Sequence, residues 1–150
     1  MADAKKTSAW VAICLSCVAG AEGIRQNAYK DVTGIPTICY GETHGIKMGD
    51  RKTVEECKAM LGGQLEQFGS YVDKCVKVPM PPARKAAMVD FAYNVGSGTF
   101  CKYIAPDLNA GNTLKACDHL LHFTTAGGIT FPGLVSRRQK ERTLCLEGLV

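Results

Sequence analysis

The sequence predicts an α+β fold in which helices dominate and one small antiparallel sheet lies near the amino end. Apolar residues recur at helical spacing along most of the 150 residues. Between Tyr29 and Tyr40 the texture changes to short alternating runs punctuated by Asp31, Gly34, Pro36 and Gly41. With 46% hydrophobic and 21% charged residues, the chain has an ordinary globular balance, which excludes a disordered tail and a collagen-like fibre. The net charge of +4 is mild, and no aromatic interleaving or recognition motif accompanies it, so nucleic acid is not an expected partner. That charge would still help attract an anionic polymer.

Val11, Leu15, Val18 and Glu22 fall on one stripe of a first helix, which leaves Glu22 at the carboxyl-terminal end of an apolar face. The same region has a second reading. Lys5 and Lys6 precede fifteen uncharged residues, 7–21, that end in Ala19-Gly20-Ala21, a pattern with the features of an export signal. As a helix the run reaches only about 22 Å, short of a bilayer core of about 30 Å. An amphipathic helix of the folded protein is therefore the expectation, with export or membrane tethering as the alternative.

After the strands, Thr53 and Glu56 form a capping box that opens the next helix. Its apolar positions continue towards Val76, Gly62, Gly63 and Gly69 are expected to loosen or kink it, and Pro79, Pro81 and Pro82 end it. This helix reads as a strut between two lobes. A helix is expected over 83–95, closed by Gly96, and a short one over 104–108. The next, over 113–123, should bury Leu114, Cys117, Leu120 and Leu121 on one side. The last starts at Pro132 and stops near Gly148. The organisation is a single domain, 1–150, with an amino-terminal lobe over about 1–55, a connecting helix over about 53–77 and a helical lobe over about 79–150.

Eight cysteines are spread along the chain without a repeating interval, and eight thiols allow 105 pairings, so no connectivity can be read. Structural thiols are the expectation, with disulfides as the alternative. Cys14 and Cys17 have metal-site spacing, but no second pair follows, and no metal or cofactor is expected.

Glu22, Asp31 and Thr37 are the residues that could converge from a helix end onto the small sheet. Two carboxyls and a hydroxyl suit glycoside hydrolysis, in which one carboxyl protonates the leaving oxygen and the other activates a water or attacks. On spacing alone the signal is weak, and surface acids and a strand threonine are the better explanation. A thiol enzyme built on Cys39 and His44 is a weaker alternative.

Glu22-Gly23, Tyr29-Lys30-Asp31 and Thr37 together resemble the amino-terminal signature of the phage lysozymes, glycoside hydrolase family 24. Gly41-Glu42-Thr43-His44-Gly45 is similar to that family's glycine-rich turn, and Tyr93-Asn94-Val95-Gly96 to its aromatic-Asn-Val-Gly helix end. Ala126-Gly127-Gly128 and Gly133-Leu134, with Arg137-Arg138 and Glu141, resemble its carboxyl-terminal signature. In the turn, many relatives place the histidine earlier, which leaves the role of His44 open. Phe123 stands where many have tryptophan.

The resemblance implies a lysozyme-like two-lobed fold, with a small antiparallel sheet in the amino-terminal lobe and a helical carboxyl-terminal lobe joined by a long helix. It implies a muramidase that cleaves the β-1,4 bond between N-acetylmuramic acid and N-acetylglucosamine in peptidoglycan during phage lysis of a host. Glu22 would be the general acid. Asp31 and Thr37 would hold a water beneath the sugar C1, giving inversion, with His44, Tyr93 and Arg137 as supporting residues. Arg137 matches an arginine beside the acid, while Arg138, Lys140 and Arg142 read as a solvated helix face. A wall-binding protein without turnover is the competing class. The resemblance further implies synthesis in the host cytoplasm and action on the wall in the periplasm. The expected form is a monomer reaching the wall through a holin pore, with signal-anchor release second.

Overall fold

A computed structural model describes residues 7–149 of the chain. Lys5 and Lys6, the basic start of the signal-like pattern, lie outside the described residues.

The first helix, α1 (Ala9–Glu22), buries Val11, Cys14 and Val18 and ends at Gly23, whose backbone N–H reaches the Ala19 carbonyl. Leu15, expected on the buried stripe, is only half-buried. Strands β1 (Arg25–Lys30) and β2 (Pro36–Cys39) pair antiparallel, with Tyr29 opposite Thr37 and Lys30 opposite Pro36. The sheet therefore starts before Tyr29, earlier than its alternating texture suggests. Beyond β2 the chain doubles back through Gly41, at φ 94°, so that Ile38 and Glu42 exchange backbone hydrogen bonds of 2.9 and 2.8 Å.

Helix α2 (Val54–Cys75) opens with the capping box: Thr53 Oγ1 accepts from the Glu56 N–H, and a Glu56 carboxylate oxygen accepts from the Thr53 N–H, each at 3.1 Å. It runs unbroken through its glycines. Cys57, Leu61, Leu65, Gly69 and Val72 form its buried face, and tertiary packing on that face outweighs the weak propensity of glycine. Gly69 has a further use, since a Cβ there would lie 2.5 and 2.8 Å from two carbons of the Trp10 indole. The missing side chain is the slot in which α1 rests on α2. Lys85 Nζ covers the same indole at 4.7 Å and bonds Asp73 at 2.8 Å.

Helix α3 (Pro82–Val95) is the axis of the molecule, with Ala86 through Ala92 all buried. It packs against α1, α2, α4 (Ser97–Tyr103) and α7 (Pro132–Leu146). Helix α5 (Ala105–Asn109) is the expected short helix, shifted by one residue, whereas α4 was not foreseen. Helix α6 (Thr113–His119) continues into a 3-10 turn, Leu120–His122. Cys117 and Leu120 are buried as expected, but Leu114, in the first turn of α6, is 53% exposed, and Leu121 is 36% exposed where the tighter turn rotates the face. Strands β3 (Thr125–Ala126) and β4 (Ile129–Thr130) form a minimal hairpin before α7. Phe123, in the position many relatives give to tryptophan, meets Phe91 edge-on at 5.1 Å.

The expectation of structural thiols holds for two of the eight cysteines only. Cys39–Cys57 ties β2 to α2, Cys75–Cys101 ties the end of α2 to α4, and Cys117–Cys145 ties α6 to α7. Partners 18 to 28 residues apart meet only through tertiary packing, which spacing does not reveal. Each bridge restricts the unfolded chain by about 3–4 kcal/mol on a loop-entropy account. Cys14 and Cys17 are free. Burial raises the Cys14 thiol above its ordinary range; burial, then the charges of Asp90 and Glu141, push Cys17 up to about 11. Both are therefore poor nucleophiles at neutral pH.

Candidate active site

Glu22 sits where the apolar face of α1 ends, its side chain 31% exposed to a cleft of about 740 Å³. Arg137 Nη1 donates to Glu22 Oε1 at 2.6 Å, so the two expected site residues are in contact. The other edge of its guanidinium is committed elsewhere: Nε and Nη2 donate to the two oxygens of Asp90 at 3.0 and 2.9 Å. Burial works against the charge on Arg137, but the hydrogen bonds and charge of Asp90, followed by those of Glu22, outweigh it and hold the group above the ordinary arginine range.

Behind this pair lies a buried layer. Arg138 is fully buried beside Glu141, itself 1% exposed, which corrects the expectation of a solvated Arg138, while Lys140 is exposed as expected. Arg138 Nη2 donates to Asn94 Oδ1 at 2.8 Å and to Glu141 Oε2 at 3.0 Å, and the guanidinium carbon lies 4.9 Å from the Phe91 ring centre. Its Nε is 2.9 Å from Glu141 Oε1 without hydrogen-bond alignment. Burial, then the hydrogen bond and charge of Asp90, raise the Glu141 carboxyl well above the ordinary range. Asp90 moves the opposite way: burial opposes its charge, and hydrogen bonds from Glu141 and Arg137 more than offset that. Asp90 was detectable in the sequence as a lone acid in the otherwise neutral stretch from Ala86 to Val95, where burial requires a charged partner.

Asp31 is built differently, by a loop of five residues. Its Oδ1 accepts from the Thr33 N–H at 2.8 Å, the Thr33 hydroxyl at 2.7 Å and the Ile35 N–H at 2.9 Å. Gly34, at φ 83°, gives the turn its left-handed step. These bonds, that of the Thr33 hydroxyl foremost, lower the Asp31 pKa. Thr33 is thus a functional neighbour that the sequence reading passed over. Thr37 is 4% exposed and donates its hydroxyl to the Ile35 carbonyl at 2.9 Å, so Ile35 links Asp31 and Thr37 through its two backbone groups. Among the described residues no hydrogen bond joins Glu22 to either of them.

The supporting candidates separate. His44 is exposed on its turn, and its backbone N–H donates to Glu42 Oε1 at 3.2 Å. Glu42 in turn takes a hydrogen bond from Gln64 of α2. The Tyr93 hydroxyl donates to the Tyr40 carbonyl at 3.2 Å while its ring packs edge-on against Phe68, which fastens the turn after β2 to α3 and α2. Burial, then the charges of Glu22 and Glu42, push its phenol up to about 12. Among the described residues no three His, Cys, Asp or Glu side chains gather as a metal-binding group. A larger groove of about 920 Å³, between α6 and Leu149, contains none of these side chains.

A family model described as phage lysozyme matches residues 19–141, which includes the acid, the Asp31 loop and the arginines of α7. The SAR-endolysin of bacteriophage PS119 is 40% identical over 131 residues, covering 86% of this chain and 78% of that protein. The muramidase domain of SpmX from Asticaccaulis excentricus superposes with a TM-score of 0.84 at 28% identity, covering 94% of this chain and 97% of that one. The active form of the P1 phage endolysin Lyz superposes with a TM-score of 0.81 at 28% identity, over 92% and 85%. The chain belongs to the phage lysozyme family and is, with that family, a glycoside hydrolase.

Proposed function

We propose that the chain cleaves the β-1,4 bond between N-acetylmuramic acid and N-acetylglucosamine in bacterial peptidoglycan, with Glu22 as general acid and Asp31 and Thr37 as the water-holding pair. The carrying observation is the asymmetry of the Asp31 carboxylate. Three donors saturate Oδ1, and Oδ2 takes no hydrogen bond among the described residues. That oxygen is free to accept one proton of a water. Thr37 gives its own proton to Ile35, so its oxygen is left as an acceptor for the other. A water held by both hydrogens presents a lone pair to the anomeric carbon, which favours inversion.

Glu22 completes the pair of roles. Its Oε1 is engaged by Arg137, so Oε2 is the atom that carries the proton to the leaving oxygen. The test is digestion of purified peptidoglycan by wild type and Glu22→Gln. New reducing muramic-acid ends from wild type alone support the reading. Anhydro ends point to transglycosylation, and equal activity in the variant removes Glu22 from its role.

The protein is proposed to act as a monomer on the cell wall in the host periplasm. For access, a holin pore and signal-anchor release make different demands on residues 7–21. As α1 they pack on α3 and carry Glu22, so they cannot lie in a bilayer at the same time. No described helix is long and apolar enough to cross a membrane. The name of the PS119 relative favours signal-anchor release, the route the sequence reading placed second. Carbonate-resistant membrane association of the intact chain before lysis supports tethering, and purely soluble protein supports the holin route.

A further inference from the structure

Arg137 is the only described side chain that hydrogen-bonds Glu22, and a free guanidinium there would favour the ionised acid that cannot donate a proton. The structure shows why it is not free. Asp90, 1% exposed, binds two of its three nitrogens. Glu141 and Arg138 then close the network from behind.

We propose that Asp90 and Glu141 are positioning residues for the general acid: Asp90 cancels the charge of Arg137 while aiming its Nη1 at Glu22, and Glu141 backs the pair with an oxygen 3.0 Å from Arg138 Nη2 and 3.9 Å from Arg137 Nε. The inference rests on the assignment of Glu22 as the acid. With Asp90 bidentate on the guanidinium, a protonated Glu22 faces a neutralised ion pair. Without Asp90, the protonated acid would face an uncompensated arginine.

The charged and titratable groups that face Glu22 come from three elements. From α7 these are Arg137, Lys140 and Glu141, and from α3 Asp90 and Tyr93. On α1 itself, Cys17 lines the same cleft and stays protonated at neutral pH. None of the others supplies negative charge to Arg137 in the bidentate manner of Asp90.

The test compares wild type, Glu22→Gln, Asp90→Asn, Glu141→Gln and Glu141→Met on purified peptidoglycan across pH. Asp90→Asn is nearly isosteric. It is expected to lower kcat by about 10- to 100-fold with KM within about twofold, as misorientation of a reacting group does. The alkaline limb of its pH–rate profile should move to lower pH, since the unneutralised arginine favours loss of the Glu22 proton. A purely structural Asp90 would lower stability without moving that limb. Glu141→Gln keeps a side-chain oxygen to accept from Arg138, so it should keep kcat within about twofold, whereas Glu141→Met removes that acceptor and should lose about tenfold or more. This second pair decides the matter even if Asp90→Asn does not fold. A wild-type kcat and unmoved profile in Asp90→Asn, beside an inactive Glu22→Gln, overturns the proposal alone. An equal loss in Glu141→Gln and Glu141→Met overturns the role given to Glu141. Full activity in Glu22→Gln overturns the acid assignment and this proposal together.

Discussion

The two halves of the active site are held in opposite ways. Asp31 and Thr37 are fixed by a loop whose hydrogen bonds span two to four residues, close to the surface. Glu22 is fixed by an arginine 115 residues away, itself held by an aspartate 47 residues from it in sequence, in a nearly water-free layer. A local turn makes a carboxylate that stays ionised, because backbone N–H groups solvate it. The tertiary network behind Glu22 instead includes a buried carboxyl, Glu141, that burial raises well above the ordinary range. One catalytic group is therefore legible from neighbours in sequence, while the other depends on the whole fold.

Breaking the buried layer should cost most. Arg138→Ala leaves Glu141 and Asn94 without their partner and is expected to destabilise by about 3–5 kcal/mol, read as a lowered midpoint in denaturant. An intact midpoint would mean that the layer behaves as a surface cluster after all. Next in size is Gly69→Ala, which pushes a methyl into the Trp10 indole and should cost about 1–3 kcal/mol. Activity should fall with it, because α1 carries Glu22. A loss of stability with full kcat at low temperature would separate the anchoring of α1 from the alignment of the acid.

The pH dependence of stability sharpens the contrast. Glu141 has a folded pKa raised above its unfolded value, so its stabilising contribution is complete at acid pH and declines as pH rises towards the folded value. Asp31 has a lowered one, so its contribution is present above the ordinary carboxylate range and is lost as pH falls through the folded value. Glu141→Gln should therefore flatten the decline in Tm on the neutral side and leave the acid side unchanged. The smallest effect is expected from Thr33→Val, which removes one hydroxyl donor from the exposed Asp31 carboxylate. Its signature is an acid limb of the activity profile moved to higher pH, and an unmoved limb would mean that the two backbone donors suffice.

Much of the frame was legible because its signals are local. The capping box at Thr53 and Glu56, the helix start at Pro132 and the stop at Gly148 each depend on residues within one turn. The hairpin at 125–130 was hidden because strands of two residues carry no alternation. Helix α4 was hidden by its length of seven and its glycine. The bridges and the burial of Arg138 and Glu141 could not be read, since their partners arrive from other elements. The kink expected at Gly69 failed for the same reason: what fills the gap is Trp10, on another helix.

That slot also makes the protein its own instrument. Trp10 is the chain's single tryptophan, and it lies on the same helix as Glu22, clasped between Gly69 and the Lys85 ammonium. All indole emission from an unlabelled sample thus originates where that helix meets the body of the enzyme. A change in wavelength or quenching during refolding dates the seating of the helix, and with it the moment at which the site gains its acid.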